Sequence, residues 1–229
     1  MNLDTSLLLF INALSTDKTT FAVVNAFVQN PLLRGGPIFF AFTCIWFSKN
    51  SAERQAKMLL GLAGLFIAVF ISVQMQSRLP IHLRPWLDHS LAMQGPQTVL
   101  GWERISSFPS DTATLFVSMA MIVFLQNRLV GTCCFLWALA TTGVGRIVLG
   151  YHYPSDILVG ALLGITIVYL VSKPQFLQNF IAYILKSLKE RIYFVHGLVV
   201  LFLIDSYILF PGLDPILDRV EELFKHLMR

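Results

Sequence analysis

An arginine, a histidine and an aspartate stand close together between two apolar runs, at Arg146, His152 and Asp156. Ionisable side chains inside a membrane-type sequence are costly and point to function. If the second helix begins near Pro154, Asp156 lies one turn beyond His152 and can accept a hydrogen bond from its imidazole. That bond would fix the tautomer and leave the other ring nitrogen free as a nucleophile or base. Arg146 offers a planar fork that suits an oxyanion such as phosphate.

The tripeptide Pro-Ser-Asp occurs twice, at 109–111 and 154–156, each time directly before an apolar run. This pattern predicts helix starts with Ser110 and Ser155 as N-caps and an aspartate in the first turn. A helix start also presents backbone N–H groups and the positive end of the helix dipole, which together bind phosphate. We expect Arg84-Pro85 and Arg146 to close on the same anion.

The composition is that of an integral membrane protein. Of the 229 residues, 55% are hydrophobic and 13% are charged, whereas a soluble domain carries about 25% charged residues. The net charge is +4, but the basic residues form no patch of the kind that binds nucleic acid, so we expect no such partner. The three cysteines lie in apolar runs, which argues against disulfides. No Cys/His set has metal-ligand spacing, and we expect neither a metal nor a cofactor.

The apolar runs predict an all-α, polytopic helical bundle. Clear spans are predicted at 58–76, 112–126, 129–149 and 156–172. The runs at 3–14, 19–33 and 37–48 are shorter and leave the number of crossings before residue 49 open. After Lys173-Pro174 the sequence predicts a surface helix, a further span and an amphipathic tail helix, at 175–190, 191–210 and 214–229.

Counting crossings from residue 58 places the polar candidates on one side of the membrane. They are Arg78, Arg84, Ser110, Arg146, His152 and Asp156. The opposite loops carry Lys49, Arg54, Lys57, Arg128, Lys173, Lys186, Lys189 and Arg191. By the positive-inside rule this second side is cytoplasmic. We therefore expect a multi-pass protein of the inner (plasma) membrane whose polar cluster faces the periplasm or the exterior.

Three short motifs together resemble those of the type 2 phosphatidic acid phosphatase superfamily. The family motifs read Lys-x6-Arg-Pro, Pro-Ser-Gly-His and Ser-Arg-x5-His-x3-Asp. Here they correspond to Arg84-Pro85, Phe108-Pro109-Ser110 and the Arg146, His152 and Asp156 set, in the same order and on the same side. The third motif is the specific one, and the resemblance covers roughly residues 58–172. It implies a metal-independent, six-span helical domain acting on lipid phosphates or diphosphates.

The resemblance assigns roles to the matching residues. It implies that His152 is the nucleophile that forms a phosphohistidine, and that Asp156 orients it and stabilises its charge. Arg84, Arg146 and the Ser110 region would hold the phosphoryl oxygens, since phosphoryl transfer depends chiefly on positioning and charge neutralisation. We predict a phosphatase-like membrane domain at residues 1–172 and a C-terminal extension with one further span at 173–229.

Three positions depart from the family motifs. Ser77 stands where the first motif has lysine, and Arg78, one residue later, is the candidate replacement as a phosphate-binding cation. Gly145 replaces the serine of the third motif. Asp111 is expected in members that resemble undecaprenyl-diphosphate phosphatases, but Thr112 stands where the family has its second histidine. That histidine protonates the leaving oxygen, and such general acid catalysis contributes about 10²–10⁴ in rate.

Three explanations of Thr112 stay open. The histidine was replaced in a way that traps or inactivates the protein. Alternatively, the substrate has a better leaving group, as a diphosphate does because it leaves as a phosphate monoester. The third explanation is that Asp111, His82 or His89 supplies the proton, although lone histidines near a membrane surface have no role by default.

Three functions are compatible with the sequence. The leading hypothesis is a lipid-phosphate phosphohydrolase that acts on a polyprenyl (undecaprenyl) diphosphate at the outer face. The second is an envelope-lipid phosphotransferase, in which a lipid or sugar hydroxyl attacks the phosphohistidine. The third is a catalytically impaired lipid-diphosphate binder or transporter. The expected partners are a lipid phosphate and membrane lipids, and the sequence does not specify an oligomeric state.

Overall fold

A computed structural model describes residues 3–13, 18–48, 51–91, 93, 106–188 and 192–207. Over these residues the chain is helical and has no strand, which confirms the predicted all-α fold. The helices are α1 (Leu3–Asn12), α2 (Lys18–Gln29), α3 (Pro31–Arg34), α4 (Gly36–Phe47), α5 (Ala52–Arg78), α6 (Asp111–Gln126), α7 (Arg128–Ala138), α8 (Gly145–Val148), α9 (Pro154–Ser172), α10 (Gln175–Leu188) and α11 (Ile192–Tyr207). A π-helical turn, Leu139–Val144, joins α7 to α8.

Three stretches of the described chain are long and apolar enough to cross a membrane. They are Ala52–Arg78, Arg128–Val148 and Pro154–Ser172, and they match the spans predicted at 58–76, 129–149 and 156–172. The predicted span at 112–126 corresponds to α6, which belongs with the shorter apolar helices. The chain is thus a membrane helical bundle. That its core has six membrane spans stays a prediction.

Helix α6 lies at the centre of the bundle. Every residue from Thr112 to Val123 is buried, and α6 packs against α4, α5, α7 and α9. A helix that is buried on all sides needs small or apolar residues around its whole circumference, and α6 has them. The large core side chains on α6 include Phe116, Met119 and Ile122. This central position fixes the start of α6, and therefore Ser110, relative to its neighbours.

Glycines let α9 approach α6 closely. A Cβ atom at Gly164 would lie 2.8 Å from the Thr114 carbonyl oxygen and 2.6 Å from Ser118 Oγ. A Cβ atom at Gly160 would meet the carbonyl oxygen of Ser110. The two glycines are four residues apart on one face of α9, as in the small-residue contacts of membrane helices. The contact holds the start of α9 against the start of α6.

The two Pro-Ser-Asp segments begin helices in different ways. Ser110 is the N-cap of α6, and its hydroxyl accepts a hydrogen bond from Ala113 N, as predicted. The prediction that Ser155 caps α9 is wrong, because the N-cap is Tyr153. The Tyr153 N–H donates to the Asp156 side chain, and Ser155 instead donates to Asp4 of α1. Pro154 occupies the first helical position, so the cap lies two residues before Ser155.

The two helices after α9 pack onto the rest of the bundle. Ala182 and Leu185 of α10 contact Ala56 of α5, and Lys186 forms an ion pair with Glu53. The opposite face of α10 exposes apolar side chains, which suits the predicted membrane-surface helix. Helix α11 begins at Ile192, within the predicted span at 191–210. The tail predicted at 214–229 lies outside the described residues, and the boundary after residue 172 stays a prediction.

Candidate active site

The residues that could do chemistry meet at one end of the bundle. The end of α5 lies beside the start of α6, because the Gln76 side chain donates to the Pro109 carbonyl. The Ser110 N–H donates to the backbone carbonyl of Asp156, which joins the starts of α6 and α9. The turn after α8 brings His152 to the same place. The alternation of helices thus puts the predicted Arg84, Arg146, His152 and Asp156 together.

His152 is fully buried, and both of its ring nitrogens have partners. Nδ1 lies 2.9 Å from the Ser107 carbonyl oxygen. Nε2 lies 3.4 Å from Arg84 Nη1 and 3.2 Å from Arg146 Nη2. Guanidinium groups only donate hydrogen bonds, so Nε2 carries the lone pair and Nδ1 carries the hydrogen. This tautomer presents a nucleophilic Nε2 between two cations.

Burial lowers the pKa of His152 from 6.5 to about 4. The positive charges of Arg146 and Arg84 lower it further, while Asp156 acts in the opposite direction. Burial likewise lowers the pKa of Arg84, but an arginine remains charged at neutral pH. The imidazole is therefore neutral and able to attack over the whole physiological pH range.

The Asp156 carboxylate contacts two histidine rings and one backbone N–H. Its Oδ2 lies 3.6 Å from His152 Nδ1 and accepts a hydrogen bond of 2.8 Å from Tyr153 N. Its Oδ1 lies 3.3 Å from His82 Nδ1. The nearest acceptor for the His152 ring is thus the Ser107 carbonyl, and Asp156 adds its charge from just beyond hydrogen-bond distance. The sequence does not indicate this carbonyl, because it comes from a segment 45 residues away.

The loop before His152 fixes both arginines. Arg84 Nη1 donates to the Tyr151 carbonyl at 3.1 Å, and the Arg146 guanidinium lies 5.0 Å from the centre of the Tyr151 ring. Gly150 has φ of 71°, in the left-handed region, and its carbonyl accepts from Trp86 N. A side chain there would be strained and would press on Trp86. The loop therefore binds the turn that follows Arg84.

The π-helical turn directly precedes Arg146. Such turns insert an extra residue into a helix and are frequent at functional sites. Its threonines donate to carbonyls one turn back, and Thr141 also donates to the Arg34 carbonyl. The turn allows Arg146 to lie 95% buried and directed at His152 within an otherwise apolar span.

Arg34 is a third buried arginine that the sequence analysis did not select. It is 6% exposed, lies 5.7 Å from the centre of the Phe116 ring, and interacts electrostatically with Arg146. The signal that could have identified it is a single arginine between two apolar runs, at the Gly35-Gly36 break. With Arg34 included, the site holds three guanidinium groups against the carboxylates of Asp111 and Asp156.

The second motif contributes a capped helix start. Ser110 is fully buried and uses its hydroxyl and its N–H within the protein. Asp111 interacts electrostatically with Arg146, His152 and Arg84. Thr112 is 2% exposed, and its N–H and hydroxyl both reach Asp111 Oδ1, at 2.7 and 3.2 Å. The structure brings all three residues to the site, and their chemical roles stay predictions.

Arg78 lies apart from this cluster in the described structure. It is exposed on the last turn of α5, beside an apolar groove of about 290 Å³ formed by residues such as Phe70 and Met75. None of the described contacts joins its side chain to His152. Its role as a phosphate-binding cation stays a prediction. Within the described residues, no group of three His, Cys, Asp or Glu side chains could hold a metal ion.

The fold and the site define a class of protein: a helical membrane bundle that holds a buried, neutral imidazole between arginines at one end. The comparison with known families agrees with the resemblance of the motifs. Residues 81–180 match the PAP2 superfamily. This segment contains Arg84, Ser110, Arg146, His152 and Asp156.

Curated relatives share parts of the chain. Undecaprenyl-diphosphatase BcrC of Bacillus subtilis is 29% identical over 129 residues, which are 55% of this chain and 61% of that protein. Bacitracin transport permease protein BcrC of Bacillus licheniformis is 43% identical over 60 residues, 26% of this chain and 29% of that protein. Decaprenylphosphoryl-5-phosphoribose phosphatase of Mycobacterium tuberculosis is 34% identical over 117 residues, 50% of this chain and 59% of that protein. The chain thus spans less than two thirds of each of these relatives. No solved structure matches it.

Proposed function

We propose that the protein is a lipid-phosphate phosphatase that removes phosphate from a polyprenyl diphosphate, with undecaprenyl diphosphate as the leading candidate. The observation that carries the proposal is the position of His152 Nε2, which lies 3.4 Å from Arg84 and 3.2 Å from Arg146. The names of the Bacillus subtilis and Mycobacterium tuberculosis relatives support a polyprenyl substrate.

The proposed reaction has two transfer steps. In the first step, the Nε2 lone pair attacks the terminal phosphorus, a P–N bond forms and the P–O bond to the leaving group breaks. Arg84 and Arg146 then donate to the phosphoryl oxygens instead of to Nε2. The buried Arg146 Nε, which has no hydrogen-bond partner among the described residues, is a further donor. In the second step water attacks phosphorus, the P–N bond breaks and inorganic phosphate leaves.

We propose that guanidinium groups supply the positive charge that this transition state needs. The site carries a net charge of +1 while the imidazole is neutral, because it holds three guanidinium groups and two carboxylates. The guanidinium groups are those of Arg34, Arg84 and Arg146. An excess of buried positive charge favours a bound anion. The developing imidazolium would be balanced by Asp156 and by the Ser107 carbonyl.

The site is proposed to face the periplasm or the exterior, where it would meet lipid diphosphate in the outer leaflet. The support is the excess of basic residues in the loops at the opposite end of the bundle. The apolar groove beside Arg78, at the site end of α5, would accommodate part of the lipid chain.

The test is phosphate release from undecaprenyl diphosphate by the purified full-length protein in detergent, with and without EDTA. We expect release that persists in EDTA and is lost in His152→Ala, together with an alkali-stable, acid-labile phosphoprotein in the wild type. Failure of the wild type to release phosphate, or full activity in His152→Ala, would contradict the proposal. Transfer of phosphate to a lipid acceptor, without free phosphate, would identify the phosphotransferase instead.

A further inference from the structure

A general acid that protonates the leaving oxygen would accelerate phosphoryl transfer, and Thr112 cannot act as one near neutral pH. Its hydroxyl and N–H are both directed to Asp111 Oδ1. That oxygen therefore accepts two hydrogen bonds, as a carboxylate does, and is not placed as a proton donor. An imidazole is the side chain best suited to give and take a proton near neutral pH.

A second imidazole, His82, contacts the same two residues that surround His152. Its Nδ1 lies 3.3 Å from Asp156 Oδ1 and 2.9 Å from Ser107 Oγ. His152 Nδ1 contacts the other carboxylate oxygen and the Ser107 carbonyl. Asp156 and Ser107 thus lie between the two histidines. The Asp156 Oδ1 atom is buried and has no hydrogen bond of standard geometry among the described residues, so a hydrogen on His82 Nδ1 is its natural complement.

The position of His82 is fixed by its backbone as well. The His82 N–H donates to Ser106 Oγ, and the Ser107 N–H donates to the His82 carbonyl at 2.8 Å. The ring also lies 4.8 Å from that of Tyr153, centre to centre. These contacts join the segment before Arg84 to the segment before Ser110. They hold the imidazole in one place although its side chain is 45% exposed.

The side chain of His82 is more exposed than that of His152, which suits exchange of protons with solvent. His152 is fully buried, whereas almost half of the His82 side chain is accessible. Because Nδ1 contacts Asp156 and Ser107, Nε2 is the ring nitrogen of His82 that remains for proton exchange.

We propose that His82 is the general acid and base of this site and takes over the work of the histidine that Thr112 replaces. This inference rests on the proposed function. In the first step, the imidazolium Nε2–H gives its proton to the oxygen that leaves phosphorus, while His152 forms the P–N bond. In the second step, neutral His82 Nε2 takes a proton from the attacking water, and the P–N bond returns its electron pair to His152.

The other histidines of the described chain are placed less well. His89 lies on the 3-10 turn His89–Leu91 and is exposed, with no described contact to Asp156 or Ser107. His196 lies on α11 against Trp46 and Phe47, on a different part of the bundle. His89 is therefore the matched control, because it is close to His82 in the chain and has the same side chain.

The experiment compares two substrates that differ in their need for protonation. Full-length wild type, His82→Asn and His89→Asn are assayed in detergent with hexyl phosphate and with 4-nitrophenyl phosphate. The alkoxide of the first requires a proton as it leaves, whereas nitrophenolate does not. The quantity measured is kcat/KM, which reports the steps up to departure of the leaving group. Asparagine keeps an amide near the Nδ1 position and removes the proton at Nε2.

We expect His82→Asn to lower kcat/KM for hexyl phosphate by about 100-fold or more, and for 4-nitrophenyl phosphate by less than about tenfold. His89→Asn should change neither value by more than about twofold. The retained nitrophenyl activity of His82→Asn also shows that this variant folds. An equal loss for both substrates would overturn the role of His82, as would a loss confined to hexyl phosphate in His89→Asn. Absence of His152-dependent activity in the wild type would instead overturn the proposed function.

Discussion

At the scale of single residues, the environment of His152 decides what its imidazole can do. Two guanidinium groups donate toward Nε2 and a backbone carbonyl accepts from Nδ1, so the tautomer is fixed from both sides. Complete burial removes the water that would otherwise stabilise the protonated form. The residue is thereby kept neutral beside two cations, which is the state that the proposed attack on phosphorus requires.

The lowered pKa of His152 predicts an acid limit of activity well below that of an ordinary histidine. Because the imidazole must be neutral to attack, kcat/KM should fall only as the pH drops through about 4, not through 6.5. The measurement is kcat/KM for phosphate release between pH 3.5 and 8, corrected for ionisation of the substrate phosphate. A decline centred near pH 6.5 that follows the titration of His152 would contradict this expectation.

The planar guanidinium group of Arg146 should contribute to activity through its geometry as well as its charge. Arg146→Lys keeps a cation but loses the planar donor pair and the contact with the Tyr151 ring. We expect kcat/KM to fall by about 10²-fold, the usual cost of one lost transition-state donor. Arg128→Lys, at the exposed start of α7 on the opposite side, is the matched control and should retain activity. Equal activities of the two variants would show that charge alone suffices at Arg146.

At the scale of elements, the close contact between α6 and α9 positions the site. The glycines of α9 bring Asp156 to the start of α6, where its carbonyl accepts from Ser110 N. The π-helical turn Leu139–Val144 interrupts the span Arg128–Val148 and so positions Arg146 at the site. Both features lie close in the chain to the candidate site residues Asp156 and Arg146.

Gly164→Ala should loosen this contact. The added Cβ would lie 2.8 Å from the Thr114 carbonyl, so α9 must move away from α6. Overpacking of this kind costs about 1–3 kcal/mol, and we expect a lower Tm together with reduced activity. In α11, a Cβ at Gly197 meets no described residue within 4 Å, so Gly197→Ala serves as the control and should leave Tm the same or slightly higher. An unchanged Tm in Gly164→Ala would argue against the tight helix contact.

At the scale of the whole molecule, the alternation of spans gathers groups that are far apart in sequence. The segments around residues 84, 107 and 152 meet at one end, and the loops with most basic residues lie at the other. A site assembled at one end of a membrane bundle is expected to face one compartment only. Its orientation is therefore a property of the complete bundle.

The proposed orientation predicts which side of the membrane each end faces. In a background without native cysteines, Ile81→Cys at the site end should react with an impermeant maleimide added outside intact cells. Lys173→Cys at the opposite end should react only after the cells are opened. Ile81 is 61% exposed, so access is not limited by burial. The reverse labelling pattern would place the site in the cytoplasm.

The sequence by itself determined the helical membrane class, the spans of three long helices and the four residues Arg84, Arg146, His152 and Asp156. Those features follow from local composition and from spacing along the chain, which helix geometry converts directly into position. The cap of α6 was also predictable, because it depends only on neighbouring residues.

The tertiary structure alone decided which groups share the site with those four residues. The Ser107 carbonyl at His152, the His82 ring at Asp156 and the buried Arg34 come from segments with no motif of their own. It also decided that Tyr153, not Ser155, caps α9, because Asp4 of α1 takes the serine hydroxyl. Contacts between distant segments depend on how the helices pack. A single sequence indicates which face of a helix is buried, but not which other helix covers that face.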